Sequence, residues 1–139
     1  VNIMKVKEKD HIQIGELAKM LGVTTRTIRY YEEIGLMTPP KRLTGGIRVY
    51  SQDDILRLKF VLKLKELGIS LKDMQELATI YQIDGTPSKF KQIIPRLLEI
   101  LDSHISIIDA KIAKVTSLRQ EICDYRTRIV KINHEENGE

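Results

Sequence analysis

Arg26 and Arg29 stand three residues apart inside the run TTRTIRYY, with Tyr30 and Tyr31 directly after them. On a helix that spacing is close to one turn, so both guanidinium groups project from one face. A guanidinium is a planar fork of donors that fits the major-groove edge of guanine and also pairs with phosphate. Thr24 and Thr25 add hydroxyls at the same end. A phenol such as Tyr30 or Tyr31 can lie over a sugar and donate to phosphate, although one of the two could equally complete a core. A second basic set, Lys41, Arg42 and Arg48 with Tyr50 after it, follows in KRLTGGIRVY. These types and spacings suit contact with a polyanion that has readable edges, which is double-stranded DNA. They do not suit bond making. No serine or cysteine stands beside a histidine base, no glycine-rich loop follows a strand pattern, and the carboxylates are scattered over helical surfaces. The chain reads as a non-enzyme.

The elements that must position those groups follow from the pattern around them. In IGELAKML, Leu17, Ala18 and Leu21 share a helical face, and Gly22 ends it where the chain turns left-handed. Thr24 can cap the next helix, leaving Thr25, Arg26, Arg29 and Tyr30 exposed while Ile28 and Ile34 face inward. Gly35 stops that helix, and Pro39 and Pro40 prevent it from resuming. KRL and IRVY flank Thr44, Gly45 and Gly46 as two short strands around a glycine turn. Ser51 with Asp54 opens a helix to Leu67 with Ile55, Leu58 and Leu62 on its apolar face, and Gly68 stops it. Ser70 with Asp73 repeats the signal for a helix from Leu71 to about Gln82 that buries Leu71, Met74 and Leu77. Residues 12 to 83 therefore predict a mainly α, winged helix-turn-helix head with a small β-hairpin wing.

Asp84, Gly85, Thr86 and Pro87 form the next break, with Thr86 as cap and Pro87 at the first helical position. From Ile94 the apolar positions alternate steps of four and three: Leu98, Leu101, Ile105, Ile108, Ile112 and Val115. That is the seam of a coiled coil. A three-residue step to Leu118 shifts the phase before Ile122, Tyr125, Ile129 and Ile132 resume it. Pro95 predicts a kink, or a separate short helix over residues 88 to 94. An apolar stripe with no other element long enough to cover it requires a partner, and a second copy of the same helix fits. Residues 84 to 132 thus form a dimerisation helix, between an N-terminal arm (1 to 11) and a polar tail (133 to 139) expected to be flexible.

Composition sets bounds. The chain of 139 residues suits one domain with an appendage and leaves no room for a large second ligand-binding domain. Its formal charge of +4 comes from residues 1 to 80, the part that holds the reader. In the arm, Lys5, Lys7 and Lys9 are offset by Glu8 and Asp10, which argues against a basic arm on DNA. Neither a membrane span nor a secretion signal is visible, so a cytoplasmic protein is expected. Cys123 is the sole cysteine, which excludes an intrachain disulfide or a multi-thiolate site. His11, His104 and His134 are too scattered for a metal centre, so neither metal nor cofactor is expected.

The run TTRTIRYYEEIGL, then Arg48, Val49 and Tyr50, then LKELGISLKDMQEL, resembles the MerR family of bacterial transcription regulators, in the family's order and over residues 12 to 80. The resemblance implies a homodimer whose long helices pair antiparallel, so that two heads read a palindromic promoter element. It implies action by distortion of an over-long promoter spacer with RNA polymerase present. It also implies backbone contact by the tyrosine pair and phosphate contact by Lys65. Metal-sensing members carry paired cysteines at the start of the long helix and beyond it, and this chain has none there; nor has it the four-cysteine tail of an iron–sulfur switch. The segments TTRTIRYYE and RVYS, followed by LKELGISLKDMQEL and a cysteine late in the long helix, are most similar to the branch that controls branched-chain amino acid and fatty acid degradation, which would imply an acyl-CoA-type effector or repression of such genes. Drug and thiol-stress signals are the alternatives. Cys123 could sense thiol oxidation if Arg119 or Arg126 stabilised its thiolate, whereas a free cysteine is otherwise a small packing residue. A coiled-coil interaction module without DNA binding is the rival from another class.

Overall fold

Gly22 sets the first corner. With φ of 70° it takes the left-handed conformation that a side chain would resist, and Val23 N then donates to Ala18 O at 3.0 Å to close α1 (Ile14–Leu21). The Thr24 hydroxyl accepts from Thr27 N at 3.0 Å and opens α2 (Thr25–Glu33), so the corner between the helices is two short caps back to back. The computed structural model describes residues 11–43, 45–83 and 89–138. After α2 come β1 (Lys41–Arg42), β2 (Arg48–Val49), α3 (Gln52–Glu66), α4 (Leu71–Ile83) and α5 (Lys89–Glu136). The strands pair antiparallel, Lys41 with Val49 and Arg42 with Arg48, around Gly45 and Gly46 at φ of 92° and 83°. A single bridge joins Ile12 to Tyr50, so the segment entering α1 runs beside the end of the wing. Sequence reasoning did not anticipate that pairing.

The chain divides into two compact units, residues 1 to 97 and 98 to 139. In the first, Leu17, Ile28, Leu36, Met37, Tyr50 and Leu58 are fully buried and form its centre. α3 begins with a complete capping box: Ser51 Oγ accepts from Asp54 N and Asp54 Oδ2 accepts from Ser51 N. Its buried face is Ile55, Leu58, Val61 and Leu64, in steps of three, and Leu62, expected there, is only half-buried. Leu71, also expected inside, is exposed, whereas Ile69 just before α4 is buried.

The boundary expected near residue 83 falls later. Ile93 is buried, and Arg96 Nε and Nη2 donate to both oxygens of Glu76 on α4 at 2.6 and 3.1 Å, so the first turns of α5 belong with the head. Those hydrogen bonds hold the Glu76 carboxyl below its ordinary range. No separate helix precedes Pro95, which lies inside α5. It sits only two turns from the helix start, so few backbone hydrogen bonds precede it, and the ion pair one residue on holds this turn to α4. α5 also extends through Asn133–Glu136, which had been assigned to the tail. Thr44, the expected cap Thr86 with Pro87, and the arm apart from His11 lie outside the described residues.

In the second unit the predicted seam is apolar and uncovered. Ile105, Ile108, Ile112, Leu118, Ile122 and Tyr125 are exposed, and Val115 is 65% exposed. Leu101 is half-buried. Among the described residues no helix is long and apolar enough to cross a membrane.

Candidate nucleic-acid interface

α2 divides its residues by helical phase. Ile28 and Tyr31 point inward, and Arg26, Arg29 and Tyr30 point out. Thr24 is exposed and Thr25 half-buried, so both hydroxyls lie at the open N-terminal end, where unpaired backbone N–H groups and the helix dipole also favour an anion. Thr24 spends part of its capacity on the cap, accepting from Thr27 N and sharing a hydrogen bond with the Thr27 hydroxyl at 2.9 Å. The tyrosine pair separates by role. Tyr30 is 46% exposed, whereas Tyr31 is 3% exposed and its hydroxyl has no hydrogen-bond partner among the described residues.

The wing carries the second basic set. Lys41 and Arg42 are exposed, and Arg42 Nη1 donates to Gly46 O at 3.4 Å across the turn. Arg48 is half-exposed and pairs with Glu32 at 3.5 Å. The Tyr50 hydroxyl donates to the other oxygen of the same carboxylate. Glu32 therefore links the reading helix to the wing through two residues at once. Burial, then the hydrogen bond to Glu32, raises the Tyr50 phenol far above its ordinary range. Arg29, Glu32, Arg42 and Arg48 line a concavity of about 520 Å3 between α2 and the wing, floored by Pro39 and Pro40.

Tyr31 and Tyr50, expected to touch DNA, are core residues: Tyr31 faces inward by helical phase, and the Ile12 bridge and the Glu32 carboxylate hold Tyr50 inside. Arg29, Arg42 and Arg48 line one concavity, and Arg26 and Tyr30 on α2 and Lys41 on the wing are exposed. Lys65 is exposed near the end of α3. Cys123 is half-buried on α5. Glu32 was missed. Its signal was an acid in a basic stretch, one turn after Arg29, with a phenol and a guanidinium waiting in RVY.

Comparison with known proteins decides the family. A family model described as MerR HTH family regulatory protein matches residues 12–79, and a second, described as MerR, DNA binding, matches residues 55–125. The chain belongs to the MerR family. A relative in Haemophilus influenzae named as an HTH-type transcriptional regulator, ZntR homolog, is 35% identical over 86% of this chain and 84% of its own length. The HTH-type transcriptional regulator YfmP of Bacillus subtilis is 36% identical over 80% of this chain and 87% of its own. Among solved structures, HiNmlR, described as a MerR family regulator lacking the sensor domain and bound to promoter DNA, shares the fold with a TM-score of 0.58. It is 22% identical, over 84% of this chain and 86% of its own. The MerR-family chain is thus a DNA-binding transcription regulator and not an enzyme.

Proposed function

We propose that this MerR-family regulator works as a homodimer, paired through the α5 seam, that binds a palindromic promoter element and alters transcription by distorting the DNA. The observation that carries the reading is the exposed apolar stripe from Ile105 to Tyr125, which water disfavours and a second copy would cover. Two copies give two reading surfaces, and a two-fold protein matches a two-fold site. At each head Arg26, Arg29 and Tyr30 face the groove, while Lys41, Arg42, Arg48 and Lys65 meet phosphates on either side. Bending and untwisting the spacer costs several kcal/mol, on the order of 1 to 6, which contacts at both ends offset. RNA polymerase reads the result at the promoter.

The finer assignment, to the branch controlling branched-chain amino acid and fatty acid degradation, rests on TTRTIRYYE, RVYS and the late Cys123. Acyl-CoA, drug or oxidant binding, scored by thermal shift, tests it. The parent reading is tested by footprinting the protein's own upstream DNA. Protection should span two half-sites on one duplex, and the substitution Arg29→Ala should weaken it. A single protected half-site, or affinity unchanged across Arg26, Arg29 and Arg48 substitutions, contradicts the reading.

A further inference from the structure

Away from the reading surface, α3, α4 and the first turns of α5 enclose a cavity of about 410 Å3, within the size range of small-molecule sites. Its walls are mostly apolar, aliphatic with a few aromatic rings. Phe60 and Phe90 meet edge to face, with ring centroids 5.5 Å apart at 80°, and Tyr81, Met74 and Leu77 continue the lining.

Into these walls α3 places one guanidinium. Arg57 Nε donates to Leu36 O at 2.8 Å, and Cζ stacks 4.9 Å above the Tyr81 ring. Arg57 Nη2 is buried and has no hydrogen-bond partner among the described residues. Among the described residues no carboxylate lies within ion-pair distance of Arg57. Burial lowers its affinity for the proton, and the more distant Asp54 carboxylate and the Tyr81 phenol offset that only in part. Such a group is costly as it stands, because its spare donor is unsatisfied and its charge, eased only by the Tyr81 ring and a carboxylate beyond ion-pair distance, is half withdrawn from water. A carboxylate from solution would supply both, with a charge-assisted hydrogen bond to Nη2. Asp53 lies one turn before Arg57 on the same lining, so its negative charge opposes any anion there and a multiply charged one most, which leaves a single carboxylate as the anion Arg57 can best hold.

We propose that this cavity binds an apolar monocarboxylate: the hydrocarbon part packs against Phe60, Phe90 and Tyr81, and the carboxylate is held by Arg57. The chain between the cavity and the reading helix is short. Arg57 holds the carbonyl of Leu36, and Leu36 N in turn donates to Tyr31 O at the end of α2.

The test is a calorimetric titration of the full chain, without DNA, with 4-phenylbutyrate, 4-phenylbutan-1-ol and 4-phenylbutylamine. The three probes share a hydrocarbon and differ only in the head group. The carboxylate should bind saturably at one per protomer, the alcohol about tenfold more weakly or worse, and the amine not at all. Arg57→Met should erase the preference for the carboxylate, and Ala78→Phe, which fills the cavity, should abolish binding of both. Where circular dichroism shows that a variant has not folded, the comparison of the three probes on the unsubstituted chain decides alone. Absence of saturable binding, or equal binding of acid and alcohol, overturns the proposal. So does a folded Arg57→Met that keeps the preference.

Discussion

Glu32 accepts from Tyr50 and faces Arg48 at 3.5 Å, so the position of the wing relative to α2 rests on one carboxylate. The Arg48 pair is partly exposed and is worth only about 0 to 1 kcal/mol. The buried phenol matters more. Replacing Tyr50 with Phe leaves a carboxylate oxygen without its donor, and a loss of about 1 to 3 kcal/mol is expected in denaturant unfolding. The phenol also gives a pH signature. Its folded-state pKa is raised above the ordinary 10.0, so its stabilising effect is complete below that value and is lost as pH rises toward the folded one. The melting temperature of the unsubstituted chain should therefore fall more steeply than that of Tyr50→Phe above about pH 10. On the reading face, Arg29→Ala should cost about 1 to 3 kcal/mol of specific binding if it reads a base, whereas Lys65→Ala should chiefly reduce the salt slope by about one. The arginines of α2 could be picked out by type and spacing alone. Tyr31 and Tyr50 could not, because a phenol suits core and surface alike, and only tertiary packing decides between them.

At the scale of elements, boundaries written as local chemistry were legible. The Thr24 cap, the Gly22 stop and the Ser51–Asp54 box each involve groups within a few residues, so the sequence contains all the partners. Ser51→Ala should accordingly cost about 0.5 to 2 kcal/mol, measured by thermal unfolding, with the same helices retained by circular dichroism. Contacts made at long range were not legible. The Ile12–Tyr50 bridge joins residues with two helices and a hairpin between them, and the inward face of α3, which takes Val61 and leaves Leu62 half-buried, is set by packing that local periodicity does not contain. Pro95 misled for a related reason. Local rules predict a break, yet buried Ile93 and the Arg96 ion pair with Glu76 hold that turn in place.

At the scale of the molecule, the spacing of apolar residues along α5 gives a periodic face, and the structure leaves that face exposed on the single chain. Placing a charge at its middle, as in Ile112→Glu, should shift the protein from dimer to monomer in sedimentation equilibrium while the head keeps its fold. The same variant should lose high-affinity binding to a full two-fold site, because one head makes only half of the phosphate contacts. The measurement that bears most directly on the account is a titration of the unsubstituted chain against its own upstream promoter DNA over a range of ionic strength, with stoichiometry read from the mass of the complex. The account predicts two protomers on one duplex and an affinity that falls steeply with salt. A single protomer bound at saturation, or an affinity indifferent to salt, would contradict it.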